Sequence, residues 1–254
     1  MSATSSSTGA IRGVTGKDGG AGGGGRLGHT LSGVAVALGC VLFLGGFGWA
    51  ALTYRPYTVP TDSMRPTVQP GSKVLARHVS GSAVHRGDVV VFKDPQWGDL
   101  PEVKRVVAVG GDKVACCDKQ GRLTVDGTSV TEPYLNKGGG PASMDAFHTT
   151  VPKGSLFLLG DNRIVSQDSR IRLDDGAGGS VPAKDVKGRV EATAWPLGRM
   201  GMISRTGAFD ALTGGGASGA GPLPWQVIMV IAGAVLIFGG AAYGPVARLV
   251  GRRR

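Results

Sequence analysis

From Gly33 to Leu52 no charge interrupts the chain, and a second uncharged stretch runs from Trp225 to about Tyr243. A helix needs roughly 20 apolar residues to cross a bilayer core of about 30 Å. Inside lipid, a segment is stable only if it satisfies its own backbone hydrogen bonds. Two such spans restrict everything between them, because the middle of the chain then begins and ends at a membrane. For the first span, a secretory signal peptide would have a shorter apolar core and a small-residue cleavage site. This one is long, lacks such a site and runs directly into a proline-rich segment, so it reads as a retained anchor. For the second, a buried core helix is the weaker alternative, given its length and the arginines that follow it. Trp225 and Tyr243 flank it as interfacial aromatics do.

The net charge of +10 over 254 residues could suggest nucleic acid, but its distribution argues otherwise. Arg12, Lys17 and Arg26 precede the first span against Asp18 alone, and Arg248, Arg252, Arg253 and Arg254 follow the second. Most of the excess charge therefore flanks the spans, which is how membrane topology is signalled, rather than forming a phosphate-binding surface. Both tails are expected in the cytoplasm, with residues 55–222 on the opposite face of the membrane. No nucleic acid partner is expected.

Between the spans the pattern favours strands. Lys73–Arg77, Asp88–Phe92, Val103–Val109, Arg122–Val125 and Ser155–Leu159 are short apolar or alternating runs, punctuated by Gly71, Gly87, Pro95, Gly110, Gly111, Gly127 and Gly154. The fold class that follows is mainly β: a coiled, partly barrel-like sheet domain with a transmembrane helix at each end. The expected divisions are a disordered Ser/Gly-rich tail over 1–29, a membrane helix over 30–54 and a β-rich domain over 55–212. A flexible linker over 213–223, a second membrane helix over 224–247 and a basic tail over 248–254 complete them.

Three cysteines make no disulfide framework. Cys40 lies in the first span as a small apolar residue. Cys116 and Cys117 are adjacent; two packed thiols is the simpler reading, a vicinal disulfide the alternative. His29, His78, His85 and His148 are scattered without metal-ligand spacing. Neither a metal nor another cofactor is called for.

About ten residues after the first span comes Pro60-Thr61-Asp62-Ser63-Met64-Arg65-Pro66-Thr67. A serine hydroxyl is a poor nucleophile unless something takes its proton. No histidine here accompanies a strand-borne carboxylate, but a lysine can serve where burial disfavours its ammonium form. Lys104 shares a strand face with Val106 and Ala108, an odd place for a solvated lysine. Taken singly, neither residue decides: Ser63 fits an ordinary loop and Lys104 an edge-strand or snorkelling side chain. The polar run Gly160–Arg170 fits a surface turn as well as a supporting hydrogen-bond network.

Four segments in order do decide. Ser63-Met64-x-Pro66-Thr67, Gly87-Asp88-Val-Val-Val-Phe92, Lys104-Arg105-Val-Val-Ala-x-x-Gly111-Asp112 and Gly160-Asp161-Asn162-Arg163-x-x-Ser166-x-Asp168-Ser169-Arg170 resemble the sequence boxes of the bacterial type I signal peptidases. The resemblance spans roughly residues 30–203. It implies a β-rich peptidase at the outer face of the cytoplasmic membrane, cutting signal peptides of exported preproteins after small residues. It implies Ser63 as nucleophile and Lys104 as general base, with an oxyanion hole from the Ser63 N–H and the Thr61 hydroxyl. Ser166 would orient Lys104, and Asp161, Asp168, Arg170 and Arg105 would form the supporting ion-pair network. Tyr57, Val59, Met64, Val68 and Val103 fall at positions that shape the shallow apolar pockets behind an A-x-A preference. The implied partners are signal peptides, the bilayer and the secretion machinery.

This chain departs from the pattern at three places. Asp62 replaces the small residue common before the nucleophile; turned inward, its carboxylate would favour the ammonium form of Lys104 and weaken the base. Ile164-Val165 replaces a more polar pair, and the second span is an extension. Two other classes were weighed. A catalytically silent anchored binder would not be expected to keep Ser63, Lys104 and Ser166 together. A self-cleaving Ser/Lys regulator would be soluble, with a DNA-binding module or internal scissile site where this chain has a membrane span.

Overall fold

The computed structural model describes residues 24–98, 100–135 and 140–251. Their contacts divide them into two compact units: residues up to Leu42 together with those from Ala232, and Phe43–Ile231. The expected disordered tail falls largely outside the described residues, as do Arg252–Arg254. Its last residues are already helical, because α1 runs Gly24–Thr53.

The first unit is made of the outer parts of α1 and of α2, Leu223–Gly251. Their small residues let the helices touch closely. A Cβ on Gly39 would press on the Gly233 carbonyl and on Ile237, and Ser32 Oγ donates to the Gly240 carbonyl at 2.6 Å. Most other large side chains here, among them Leu31, Val34, Leu38, Val235 and Phe238, are exposed. The apolar portions, Gly28–Thr53 and Leu223–Tyr243, are 26 and 21 residues long. At about 1.5 Å per residue either one is long enough for a bilayer core.

In the second unit the described strands form two sheets, antiparallel throughout. Beyond the inner ends of the helices come β1 (Tyr54–Val59), β2 (Ser72–Arg77), β3 (Val89–Phe92), β4 (Glu102–Val109), β5 (Lys113–Cys116) and β6 (Leu123–Val125). After them follow β7 (Thr128–Ser129), β8 (Phe147–Thr150), β9 (Ser155–Leu159), β10 (Val181–Pro182), β11 (Val186–Trp195) and β12 (Gly201–Met202). The large sheet runs β1-β2-β11-β3-β4-β9-β10, with β12 on β11; the small one runs β7-β6-β5-β8. Register shifts in β11 and β4 mark bulges, and bulged strands bend and twist more. The large sheet is accordingly curled into a half-barrel. Asp126, with φ 49°, and Gly127, with φ 77°, make the tight turn between β6 and β7.

Sheet faces explain why several strands read as unbroken apolar runs. On β3, Val89 and Val91 join a core with Val59, Met64, Val68, Val74, Val103 and Val190. Val90 and Phe92 point the other way, to Val106, Leu156, Leu158 and Val186. On β9 the same alternation sends Phe157 and Leu159 to a third core with Val114, Leu123, Phe147 and Phe209. Buried on both faces, such strands lose the polar alternation of a surface sheet. Each fully buried Val, Leu or Phe contributes roughly 1.5–3 kcal/mol relative to exposure.

The segment expected as a flexible linker is instead bonded to the β domain. Arg86 Nη1, Arg205 Nη2 and Arg189 Nη2 donate to the carbonyls of Thr213, Ala217 and Gly219 at 2.9, 2.7 and 2.9 Å. Ser218 donates to Asp88 through its hydroxyl at 2.6 Å and its N–H at 3.0 Å. Gly- and Ser-rich composition signals flexibility only where nothing binds the backbone; here three arginines, one of them on β11, do. Cys116 and Cys117, at the end of β5, are joined as a disulfide.

Candidate active site

Ser63 lies in the loop between β1 and β2, and the core beneath fixes that loop. Met64 and Val68 are completely buried, and the Val68 N–H donates to the Met64 carbonyl at 2.9 Å across the turn. The Gly71 N–H donates to the Val59 carbonyl at 2.8 Å and closes the loop. Two of the expected pocket residues therefore work from below: Met64 and Val68 are core, with Tyr57 packed against that core. Val59 and Val103 reach a cleft of about 530 Å³ whose lining includes Ser63, Lys104, Asp62 and Trp97.

Lys104 arrives on β4, and its side chain is only 4% exposed. Its Nζ is 3.4 Å from Ser63 Oγ, across 41 residues of sequence. Thr61 Oγ1 stands 3.1 Å from the same Ser63 Oγ. The Ser63 N–H makes no backbone hydrogen bond among the described residues, and the Thr61 hydroxyl can donate to or accept from Ser63 Oγ.

The loop after β9 leans directly on Ser63. The Asn162 N–H donates to the Ser63 carbonyl at 2.9 Å, and Asn162 Nδ2 to the Asp62 carbonyl at 3.3 Å. Gly160 makes the approach possible, since a Cβ there would collide with the Ser63 carbonyl oxygen and the Ser166 side chain. Arg105 clamps Asp161 through Nε at 2.8 Å and Nη2 at 2.7 Å, and Thr67 Oγ1 donates to the same carboxylate at 2.5 Å. Arg170 clamps Asp168 through Nε and Nη2, both at 2.8 Å, while Asp168 also accepts from the Gly160 N–H at 3.0 Å. The four expected network residues thus form two buried pairs, one within the loop after β9 and one tying that loop to Arg105 on β4.

A third pair was not anticipated from the sequence. Arg163, quoted in the last box but given no role, is paired with Glu132 through Nη1 at 2.9 Å and Nη2 at 2.5 Å, and donates to the Gly160 carbonyl at 3.0 Å. Tyr134 donates its hydroxyl to Glu132 and carries Arg105 over its ring at 3.9 Å. Burial works against the Arg105 and Arg163 guanidinium charges, but Asp161 and Glu132 outweigh it, so both pKa values rise. Burial, and then Glu132, push the Tyr134 phenol well above its usual value. Glu132 sits in the long connection between β7 and β8 with no periodic signal, and only the fold could reveal it.

Two expectations about the base come out differently. Ser166 Oγ is buried beside Gly160 but has no hydrogen-bond partner among the described residues, so the expected bond to Lys104 is not made. Instead Lys104 Nζ is 2.8 Å from Glu102 Oε2. Asp62 is half-buried at the cleft, and its carboxylate has no bond among the described residues. The carboxylate that meets Lys104 is thus Glu102, two positions along β4 on the same face. Residues i and i+2 of a strand always share a face, so that spacing was the available signal.

With the geometry in place, comparisons with known proteins are informative. The family model described as "Signal peptidase, peptidase S26" matches residues 30–195. The chain is 31% identical to a probable signal peptidase I of Mycobacterium leprae, over 62% of this chain and 75% of the relative. It is 33% identical to signal peptidase I of Mycobacterium tuberculosis, over 59% of this chain and 67% of that one. It is also 33% identical to signal peptidase IB of Staphylococcus aureus, over 65% and 87%. A crystal structure of a signal peptidase I from Enterococcus faecalis is 28% identical, with a TM-score of 0.34, over 41% of this chain and 93% of the other.

Proposed function

The chain belongs to the signal peptidase family, peptidase S26, and from that premise we propose that it removes the signal peptides of exported preproteins with Ser63 as nucleophile and Lys104 as general base. One observation carries the proposal: Ser63 Oγ and Lys104 Nζ lie 3.4 Å apart and both line one cleft of about 530 Å³. Such contacts are often long in a free enzyme and tighten on the substrate.

Ser63 Oγ attacks the scissile carbonyl carbon as its proton passes to neutral Lys104 Nζ. The oxyanion is held by the Ser63 N–H and the Thr61 hydroxyl, donors aimed where charge develops. Collapse breaks the C–N bond, and Lys104 returns the proton to the leaving amine. Water then repeats the sequence on the acyl-enzyme with Lys104 again as base, regenerating Ser63. The three buried ion pairs and Asn162 hold the Ser63 loop against β4 while this happens.

Specificity for small residues follows from the walls. Val59 and Val103 leave shallow apolar room, which suits Ala at the −1 and −3 positions of an A-x-A site and excludes larger side chains sterically. Residues 55–212 act as the peptidase domain on the extracytoplasmic face, with both tails cytoplasmic because their basic residues resist translocation. Ser63 follows the end of α1 by about ten residues, a reach of roughly 30–35 Å even when extended. That suits a substrate held in the bilayer by its own apolar core and delivered by the secretion machinery.

The test uses the full chain in lipid and a preprotein with Ala at both positions. N-terminal sequencing of the product should place the cut after the second Ala. Phe at −1 should lower kcat/KM by about two orders of magnitude or more. Equal cleavage of the Phe substrate would refute the proposed pockets.

A further inference from the structure

Lys104 has two bonding partners in this cleft, and they pull in opposite chemical directions. Ser63 Oγ needs Nζ as a neutral amine; Glu102 Oε2, the nearer at 2.8 Å against 3.4 Å, is best satisfied by an ammonium. The pair is also lopsided. The Glu102 side chain is 30% exposed at the cleft, while that of Lys104 is 4% exposed beneath it. Other charged groups of the cleft do not compete. Asp62, on the Ser63 loop, makes no bond to Lys104 among the described residues. Arg172 is occupied with the Trp97 ring at 4.9 Å and the Gln96 carbonyl at 3.1 Å. On β3 the residues opposite Lys104 and Glu102 are Val90 and Phe92, both apolar. Arg105, next along β4, is turned to Asp161. The buried Ser166 hydroxyl makes no hydrogen bond to Lys104.

We infer that Glu102 is a positioning residue for the reaction: it holds Lys104 in a charged resting form, drawn off Ser63, and so sets the pH at which the peptidase becomes active. A carboxylate in contact with an amine favours its charged form, against the burial that disfavours it. Before catalysis Nζ must release one proton to solvent; it then accepts the Ser63 proton and passes it to the leaving amine, so the cycle balances. Glu102 touches neither substrate nor reacting carbon in this scheme and acts only through Lys104. The inference rests on the assignment of Lys104 as base.

The experiment measures kcat/KM against pH for the full-length protein in lipid, with an Ala-x-Ala preprotein, as wild type, Glu102→Gln, Glu102→Ala and Lys104→Ala. Both Glu102 variants should move the acid limb down by about one unit or more, with roughly tenfold faster cleavage on the wild-type acid limb. A purely structural role would lower the rate at every pH and leave the limb in place. If Lys104→Ala is inactive and the limb of both Glu102 variants coincides with wild type or lies higher, this inference is overturned and the base assignment stands. If Lys104→Ala cleaves like wild type, the base assignment falls and takes this inference with it.

Discussion

Lys104 and Arg105 are neighbours on β4, both buried and both basic, and they are bonded in opposite ways. Arg105 makes a bidentate clamp on Asp161, donates to the Gly87 carbonyl at 2.8 Å and lies over the Tyr134 ring. Lys104 has one firm partner in Glu102 and a long contact to Ser63. The strand sends one residue to each face, so a saturated frame and an under-bonded reactive group stand back to back. A guanidinium is permanently charged and suited to holding geometry, whereas an amine can give up its proton. The rigid face supplies the precision that the loose one lacks.

Lys104→Arg is the sharpest way to break this comparison. It keeps the charge but cannot form a neutral base, and cleavage should fall about 10²–10⁴-fold, measured as kcat/KM with thermal unfolding run beside it. On the other face, Arg105→Ala should act on stability. It leaves the Asp161 carboxylate buried and unpaired, which costs about 3–5 kcal/mol, to be read from denaturant midpoints of the full chain. Should Arg105→Ala leave stability intact, the frame is not where the structure puts it. Thr61→Val comes next: loss of one oxyanion donor should lower kcat about 10²-fold with little change in unfolding.

The smallest effect extends the comparison to a second saturated cluster. Glu191 accepts from Tyr54 at 2.5 Å, Arg77 at 2.7 Å and Arg189 at 3.0 Å. Burial pushes its carboxyl up, but these hydrogen bonds outweigh it and leave the pKa below the ordinary value. A carboxyl depressed on folding stabilises fully above its unfolded pKa, and that contribution is lost as pH falls through the folded one. The stability difference between wild type and Glu191→Gln should therefore be largest near neutrality, on the order of 1 kcal/mol. It should shrink below about pH 4. Thermal unfolding at both pH values checks it.

Much of this was legible beforehand where chemistry and burial wrote the same letters. β2, β3, β4, β6 and β9 are apolar runs bounded by turn residues, and the structure keeps them within a residue of the expected bounds. The approach of Lys104 to Ser63 was expected because four boxes occur in order, and that of Thr61 because it stands two residues before Ser63. β11 was not, although it is the longest described strand, because its buried positions include Arg189 and Glu191. Their charges cancel through partners on other elements, and no local pattern encodes that. For the same reason Glu132 was missed, since it matters only through the arginine the fold brings to it; Glu102 was missed although its spacing from Lys104 on one strand was there to read. Asp62 was the carboxylate considered for contact with Lys104; the one that makes the contact is Glu102.

The central claim is that Ser63 performs the chemistry on a frame that does not depend on its hydroxyl. The direct measurement is preprotein cleavage by full-length Ser63→Ala in lipid, with thermal unfolding of the same sample. Cleavage should be undetectable while the unfolding temperature stays within roughly 2–4 °C of wild type. Cleavage at the wild-type rate by folded Ser63→Ala protein would contradict the account.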